Sequence, residues 1–112
     1  MKKFMVLYYA PMSALDQMKN ASPEEMQKGM EPWMAWQKKC GEGIVDMGLP
    51  MANAQKVTKE GHSKSDSKVA GYSIIQAENM EKALEMVNDH PHLQWIEGSE
   101  IEVHELLPMP GM

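Results

Sequence analysis

The stretch VAGYSIIQAENMEKALEMVNDHPHL, Val69 to Leu93, changes its hydrophobic period once, and that change constrains the fold more than any other feature. From Val69 to Ala77 apolar side chains fall on both parities, Val69 and Ile75 on one, Ala70, Tyr72 and Ile74 on the other. A strand buried on both faces reads this way, whereas a half-solvated strand alternates. Gly71 lets another backbone approach closely. Met80, Ala83, Leu84 and Val87 then stand at i, i+3, i+4 and i+7, the apolar stripe of a helix. Asn79 is placed to cap its first turn, and Pro91, which lacks an N–H, stops it.

Strands of the same kind frame this unit. Lys3 to Tyr9 is apolar on both parities and ends at Pro11. Basic Lys2 and Lys3 precede it, yet the run contains two tyrosines and is short for a signal peptide, so it reads as a first strand. Ser13 to Asn20 is expected to be a loop with one helical turn, capped by Ser13 and Asp16. Ser22-Pro23-Glu24-Glu25 starts a helix: serine caps, proline takes the first helical position and Glu25 reaches back. This helix runs to Cys40, with a predicted buried stripe of Met26, Met30, Trp33 and Cys40, flanked by Met34 and Trp36. Pro32 inside it predicts a kink over 29–32. Ile44 to Gly48 and Ala54 to Thr58 are short strands, and polar Lys59 to Lys68 is the expected tip of a hairpin leading into Val69. Ser99 to Leu107 is the last strand.

The order is β-α-β-β-β-α-β with a short extra strand, close to a ferredoxin-like α+β fold: an antiparallel sheet with two main helices on one face. At 112 residues the chain is expected to be one domain, 1–112. Two helices cover one face only, yet two strands are greasy on both. The uncovered face would expose an apolar patch that monomers rarely carry, so a second copy packed sheet to sheet is expected, a homodimer.

Charge and composition narrow the partners. A net charge of −5 leaves no basic stripe for nucleic acid or an anionic membrane. No apolar run reaches the roughly 20 residues of a membrane span. The single Cys40 excludes an internal disulfide framework and fits a reducing, cytoplasmic setting.

The segments KKFMVLYYAP, SPEEM, GIVDMGLP, VAGYSIIQAENMEKALEMV with HPHL, and IEVHELLPMPG together resemble YCII-related proteins over nearly the whole chain. The resemblance implies a small dimeric α+β barrel. Some members of that family are enzymes acting on small molecules, including a dehydrochlorinase of chlorinated hydroquinones, and a His–Asp dyad is the implied machinery. The family's histidine lies on the first helix, where this chain has Glu31-Pro32-Trp33 instead. Asp46 lies near the region where the acid is expected. The subgroup motif Asp-Gly-Pro-Phe is absent, replaced by the polar hairpin.

Candidate site residues follow from chemistry. Asp46, between Val45 and Met47, is either a desolvated general acid or base, or a strand-end acid capping a local amide. His90 and His92 flank Pro91; they are candidates for proton transfer, or they belong to the helix terminator. They lack a third ligand at suitable spacing, so no metal is assigned. His104, between two glutamates, either points into the barrel or pairs across strands. Glu31, Trp33 and Trp36, with Tyr8, Tyr9 and Tyr72 reaching from the sheet, either line a small-molecule pocket or are packing. The thirteen methionines, Met26, Met30 and Met34 among them, read as pliable filler rather than a copper face, and no cofactor is assigned. Two readings stand. One is an enzyme moving protons on a small aromatic or enolisable substrate, with catalytic groups among Asp46, Glu31, His90 and His104 and substrate contacts from Tyr8, Trp33, Trp36 and Tyr72. The other is a non-catalytic dimeric module that binds a ligand or a protein.

Overall fold

The computed structural model describes residues 1–12, 16, 19 and 21–110, so the expected turn over 13–20 lies outside the described residues. The elements run β1 (Lys2–Tyr9), α1 (Pro23–Cys40), β2 (Ile44–Asp46), β3 (Gln55–Thr58), β4 (Gly61–Lys64), β5 (Val69–Ala77), α2 (Met80–Val87) and β6 (Glu100–Leu106), with 3-10 turns at Gly41–Gly43 and Pro91–Gln94. Strands β2, β5, β1 and β6 form, in that order, a four-stranded sheet whose pairs are all antiparallel. The two strands that are apolar on both parities, β1 and β5, are the two interior ones.

Register fixes which side chains meet. Phe4, Val6 and Tyr8 of β1 lie opposite Ile75, Ser73 and Gly71 of β5 and opposite Glu105, Val103 and Ile101 of β6. This is the helix-covered face. Phe4, Val6, Tyr8 and Ile75 pack there with Trp36, Ala83 and Val87 of the two helices. Burial of Phe4, Val6, Ile75 and Val87 contributes about 1.5–3 kcal/mol each relative to exposure. The other face carries Met5, Leu7, Tyr72 and Ile74, all only half-buried. The molecule is 22 Å through its thinnest dimension, the depth of one sheet and one helix layer. Nothing among the described residues roofs the second face.

Several expectations need correction. β3 does not join the main sheet; it pairs with β4, inside the stretch expected to be a polar tip, as a separate two-stranded arm exposed at every residue. Polar Gly61–Lys64 lacks the alternation that marks a half-buried strand, so its pairing left no hydrophobic trace. In α1 the buried stripe is Trp33, Trp36 and Cys40, while Met26, Met30 and Met34 are exposed. Trp36 is drawn in because its indole N–H donates to the Met86 carbonyl at 2.8 Å, a bond periodicity cannot register. In α2, Leu84 is exposed and Met86 packs in its stead. The helix ends at Val87, before Pro91, which instead opens the second 3-10 turn.

The caps are as the sequence implies. Ser22 accepts from the Glu25 amide at 3.1 Å and Asn79 from the Lys82 amide at 2.9 Å. After β2 the chain turns at Gly48, whose φ of +75° is left-handed and whose added Cβ would lie 1.7 Å from the Tyr72 carbonyl oxygen. At Gly71 an added Cβ would lie 3.3 Å from the Leu49 carbonyl oxygen, the close backbone approach foreseen there. Gly29, inside α1, has open space around it. Urea denaturation is therefore expected to show Gly48→Ala destabilised by about 3 kcal/mol or more. Gly29→Ala is expected to gain about 0.5–1 kcal/mol.

Candidate functional site

A buried polar cluster lies under the C-terminal half of α1. Tyr8 reaches it from β1, Ser73 from β5, and His90 and His92 from the 3-10 turn after α2. His90 is fully buried, as is Ser73. The hydrogen bonds fix every proton. The His92 amide donates to His90 Nδ1 at 3.0 Å, so that nitrogen is bare and the ring proton sits on Nε2, 3.1 Å from the Tyr8 hydroxyl. Tyr8 donates to Ser73 Oγ at 2.7 Å, and Ser73 donates to the Met47 carbonyl at 2.6 Å. The chain of donors thus runs one way, from His90 through Tyr8 and Ser73 to backbone. His92 Nε2 lies 2.8 Å from the Tyr9 carbonyl and donates to it.

Aromatic rings enclose the His90 imidazole. Trp36 lies 4.3 Å away between centroids, Trp33 at 4.6 Å edge-on, and Tyr8 at 4.9 Å. Burial, aided by neighbouring His92, pushes the His90 pKa down to about 3, and burial lowers that of His92 against opposing hydrogen bonds to Tyr9 and Glu100. Burial likewise raises the Tyr8 hydroxyl well above its ordinary range, the Ser73 hydrogen bond opposing. Burial also raises the Cys40 thiol, with Lys39 opposing. At neutral pH the cluster is uncharged, and both His90 nitrogens are engaged.

Above the cluster, on the outer side of Trp33 and Trp36, is an open groove of about 570 Å³ between α1 and the second 3-10 turn. Trp33, Trp36 and Trp95 all line it, with Met86, Pro32 and Pro91, and Lys39, Asp89 and Gln94 add polar groups. These are the chain's three tryptophans.

The residues singled out from sequence are dispersed. Tyr8, Trp33, Trp36 and His90 form one cluster: Tyr8 and Trp36 each touch both Trp33 and His90, which touch each other. Tyr72 is not with them: it sits between buried Gly71 and Ser73 and so faces the opposite side of the sheet, as does Tyr9. Asp46 is exposed, and its carboxylate accepts from the Gly48 amide at 2.8 Å, the local cap weighed against catalysis. Glu31 is exposed on α1. His104 is exposed on the uncovered face, hydrogen-bonded to Glu102, whose pKa that bond lowers; Tyr9 also donates to Glu102, at 3.2 Å. Among these residues no carboxylate reaches a buried histidine. Sequence reasoning did not single out Ser73 or Trp95. Ser73 shares the parity of buried Ile75, and a hydroxyl at such a position must find a partner; that was the available signal.

No family model matches this chain, and no curated protein matches it. Among solved structures it is similar to a 5-chloro-2-hydroxyhydroquinone dehydrochlorinase from Burkholderia phenoliruptrix AC1100, in complex with 2,5-dihydroxybenzoquinone. The identity is 15%, the match covers 91% of each chain, and the TM-score is 0.47. Among the described residues no helix is long and apolar enough to cross a membrane.

The cluster makes two measurable demands. Tyr8→Phe leaves the Nε2–H of His90 buried without an acceptor and is expected to cost about 1–3 kcal/mol in urea denaturation. In the unfolded chain His90 takes up its proton near pH 6.5, but in the folded chain only near pH 3. The stability from keeping it neutral is thus fully present above about pH 6.5 and falls as pH drops towards 3. Denaturation midpoints taken stepwise below pH 6.5 are expected to lose up to about 1.4 kcal/mol per pH unit for this group.

Proposed function

We propose that this chain binds a small, planar, largely apolar molecule in the tryptophan groove. The observation that supports this is the gathering of all three tryptophans around one open groove, with Lys39, Asp89 and Gln94 available to polar substituents. Flat apolar walls with a few polar groups select an aromatic or conjugated ligand. The neutral His90–Tyr8–Ser73 chain, in this reading, holds Trp33 and Trp36 in place from behind. On the residues quoted above we assign the chain to the YCII-related group, as one domain over 1–112, acting in a reducing compartment as a homodimer.

The dimer reading draws on the half-exposed Met5, Leu7, Tyr72 and Ile74 of the uncovered sheet face. A second copy packed there removes them from water, stabilising the pair by roughly 25 cal/mol for each Å² of apolar surface buried. His104 and Glu102 lie on the same face and enter the interface as a hydrogen-bonded pair.

A second reading, proton transfer on a bound substrate, is favoured by the donor chain that starts at His90 directly behind Trp33 and Trp36. It uses His90 and Tyr8, with Asp46, Glu31 or His104 supplying a carboxylate or a second imidazole only after chain movement or from another copy. For any activity found, full retention in both Tyr8→Phe and Asp46→Asn removes this reading.

Titrating the protein with a panel of aromatic acids and phenols is expected to quench tryptophan emission for some members. Trp95→Ala, at an exposed position, is expected to weaken that binding about tenfold, or 1.4 kcal/mol. Unmoved indole resonances across the whole panel refute the groove reading. Light scattering is expected to give a multiple of the 12.7 kDa chain mass, and Leu7→Glu is expected to disrupt the sheet-to-sheet pairing; a wild-type mass of 12.7 kDa refutes the dimer.

A further inference from the structure

Among the described residues that line the tryptophan groove, two are charged, Lys39 and Asp89, one of each sign. Both are exposed, and among the described residues neither takes part in an ion pair. Their places along the groove follow from the way α1 and α2 pass each other. Just beyond α1, the Glu42 carbonyl accepts from the Gln76 side-chain amide at 2.8 Å, and Gln76 stands shortly ahead of α2. The C-terminal end of α1 is thus beside the start of α2. At the other end Trp33 of α1 meets His90, which follows α2, at 4.6 Å. The two helices therefore run in opposite directions.

The hydrogen bond from the Trp36 indole to the Met86 carbonyl sets those two residues level. Lys39 lies three residues beyond Trp36, and Asp89 lies three beyond Met86 in the opposite sense. At 1.5 Å per residue their backbones stand about 9 Å apart along the groove, with Trp36 on the floor between them. Lys39, like any helical side chain, leans towards the N-terminus of its helix, and so back over Trp36. Its charge also suits the last turn of α1. Asp89 has no such structural reason. It stands two residues past the end of α2, where unpaired carbonyls form a negative pole that disfavours a carboxylate. A cation bound there is attracted by both.

We infer, on the reading that the groove binds a planar aromatic molecule, that it selects one charged at both ends: an anionic group beside Lys39 and an ammonium group beside Asp89, on opposite sides of one ring. A ligand that carries both charges on one carbon, as an α-amino acid does, reaches only one of the two residues at a time. A ring substituted at opposite ends reaches both. Gln94 offers a donor and an acceptor and so prefers neither sign. Each charge contact is partly open to water, so each contributes a few-fold in affinity rather than orders of magnitude.

The test is titration of the full chain at neutral pH and low salt, followed through the indole N–H resonances. The compounds are para-(aminomethyl)benzoate, para-methylbenzoate, para-methylbenzylamine, para-methylbenzyl alcohol and phenylalanine. The first is expected to bind about fivefold more tightly than either singly charged analogue, and phenylalanine no more tightly than those. Added salt is expected to narrow the differences. In Lys39→Met the affinity ratio of para-(aminomethyl)benzoate to para-methylbenzylamine is expected to fall to about one, as is its ratio to para-methylbenzoate in Asp89→Asn. Both positions are exposed, and unchanged urea midpoints show that the fold is kept. If the alcohol binds as tightly as the doubly charged compound, or both variants leave the ratios unchanged, the charge pair is overturned and the groove reading stands. Phenylalanine binding as tightly as para-(aminomethyl)benzoate overturns the end-to-end placement of the charges. Resonances unmoved by every compound refute the groove reading itself, and the charge selection with it.

Discussion

The donor chain from His90 through Tyr8 and Ser73 to the Met47 carbonyl is the interaction on which the rest of the structure depends. It joins four parts of the sequence: the turn after α2, strand β1, strand β5 and the segment after β2. Tyr8, Ser73 and His90 are all buried, so each of these links is needed to satisfy the next. Because His90 accepts from the His92 amide, its proton can only lie on Nε2 and the direction of the whole chain is fixed. The rings that enclose the imidazole, Trp33 and Trp36, are also the floor of the groove. One uncharged network therefore holds the core together and positions the tryptophans that line the groove.

That network also explains what the site does not do on its own. A histidine whose two nitrogens are occupied, and whose pKa lies near 3, offers no base at neutral pH. The acids named as its partners stand on water-facing positions, one of them capping a turn. A binding surface needs none of these groups to move. The aromatic walls are already in place, fixed by the Trp36–Met86 hydrogen bond and by edge-on ring contacts.

The second constraint is coverage. One helix layer lies over one face of a four-stranded sheet, and among the described residues α1 meets the buried core through Trp33, Trp36 and Cys40. Among the described residues two apolar surfaces stay open to water: the sheet face of Met5, Leu7, Tyr72 and Ile74, and the Met26, Met30 and Met34 flank of α1. They lie on different sides of the molecule and differ in kind. The first is a sheet surface of mixed aliphatic, thioether and aromatic side chains; the second is a narrow stripe of flexible thioethers.

Much of this was legible in the sequence wherever the signal is local. Strand β5, the Asn79 and Ser22 caps, the interior position of β1 and β5, and the close approach at Gly71 all follow from period, capping chemistry and a missing Cβ. What tertiary structure alone decided is which distant residues share an environment. Tyr8 and His90 are 82 positions apart, and no pattern within a window reports that their polar atoms meet. Periodicity placed Met26 and Met30 in the core because it counts apolar side chains, not hydrogen-bond partners; packing chose Trp36 because its N–H had a carbonyl to reach. Strand β4 escaped notice because an arm exposed on both faces owes its pairing to backbone bonds, and these leave no mark on side-chain chemistry. The sequence by itself determined the elements and their apolar faces, since both depend on neighbours within a turn or a pleat. The neutral histidine cluster and the tryptophan groove exist only once four separated segments are brought together.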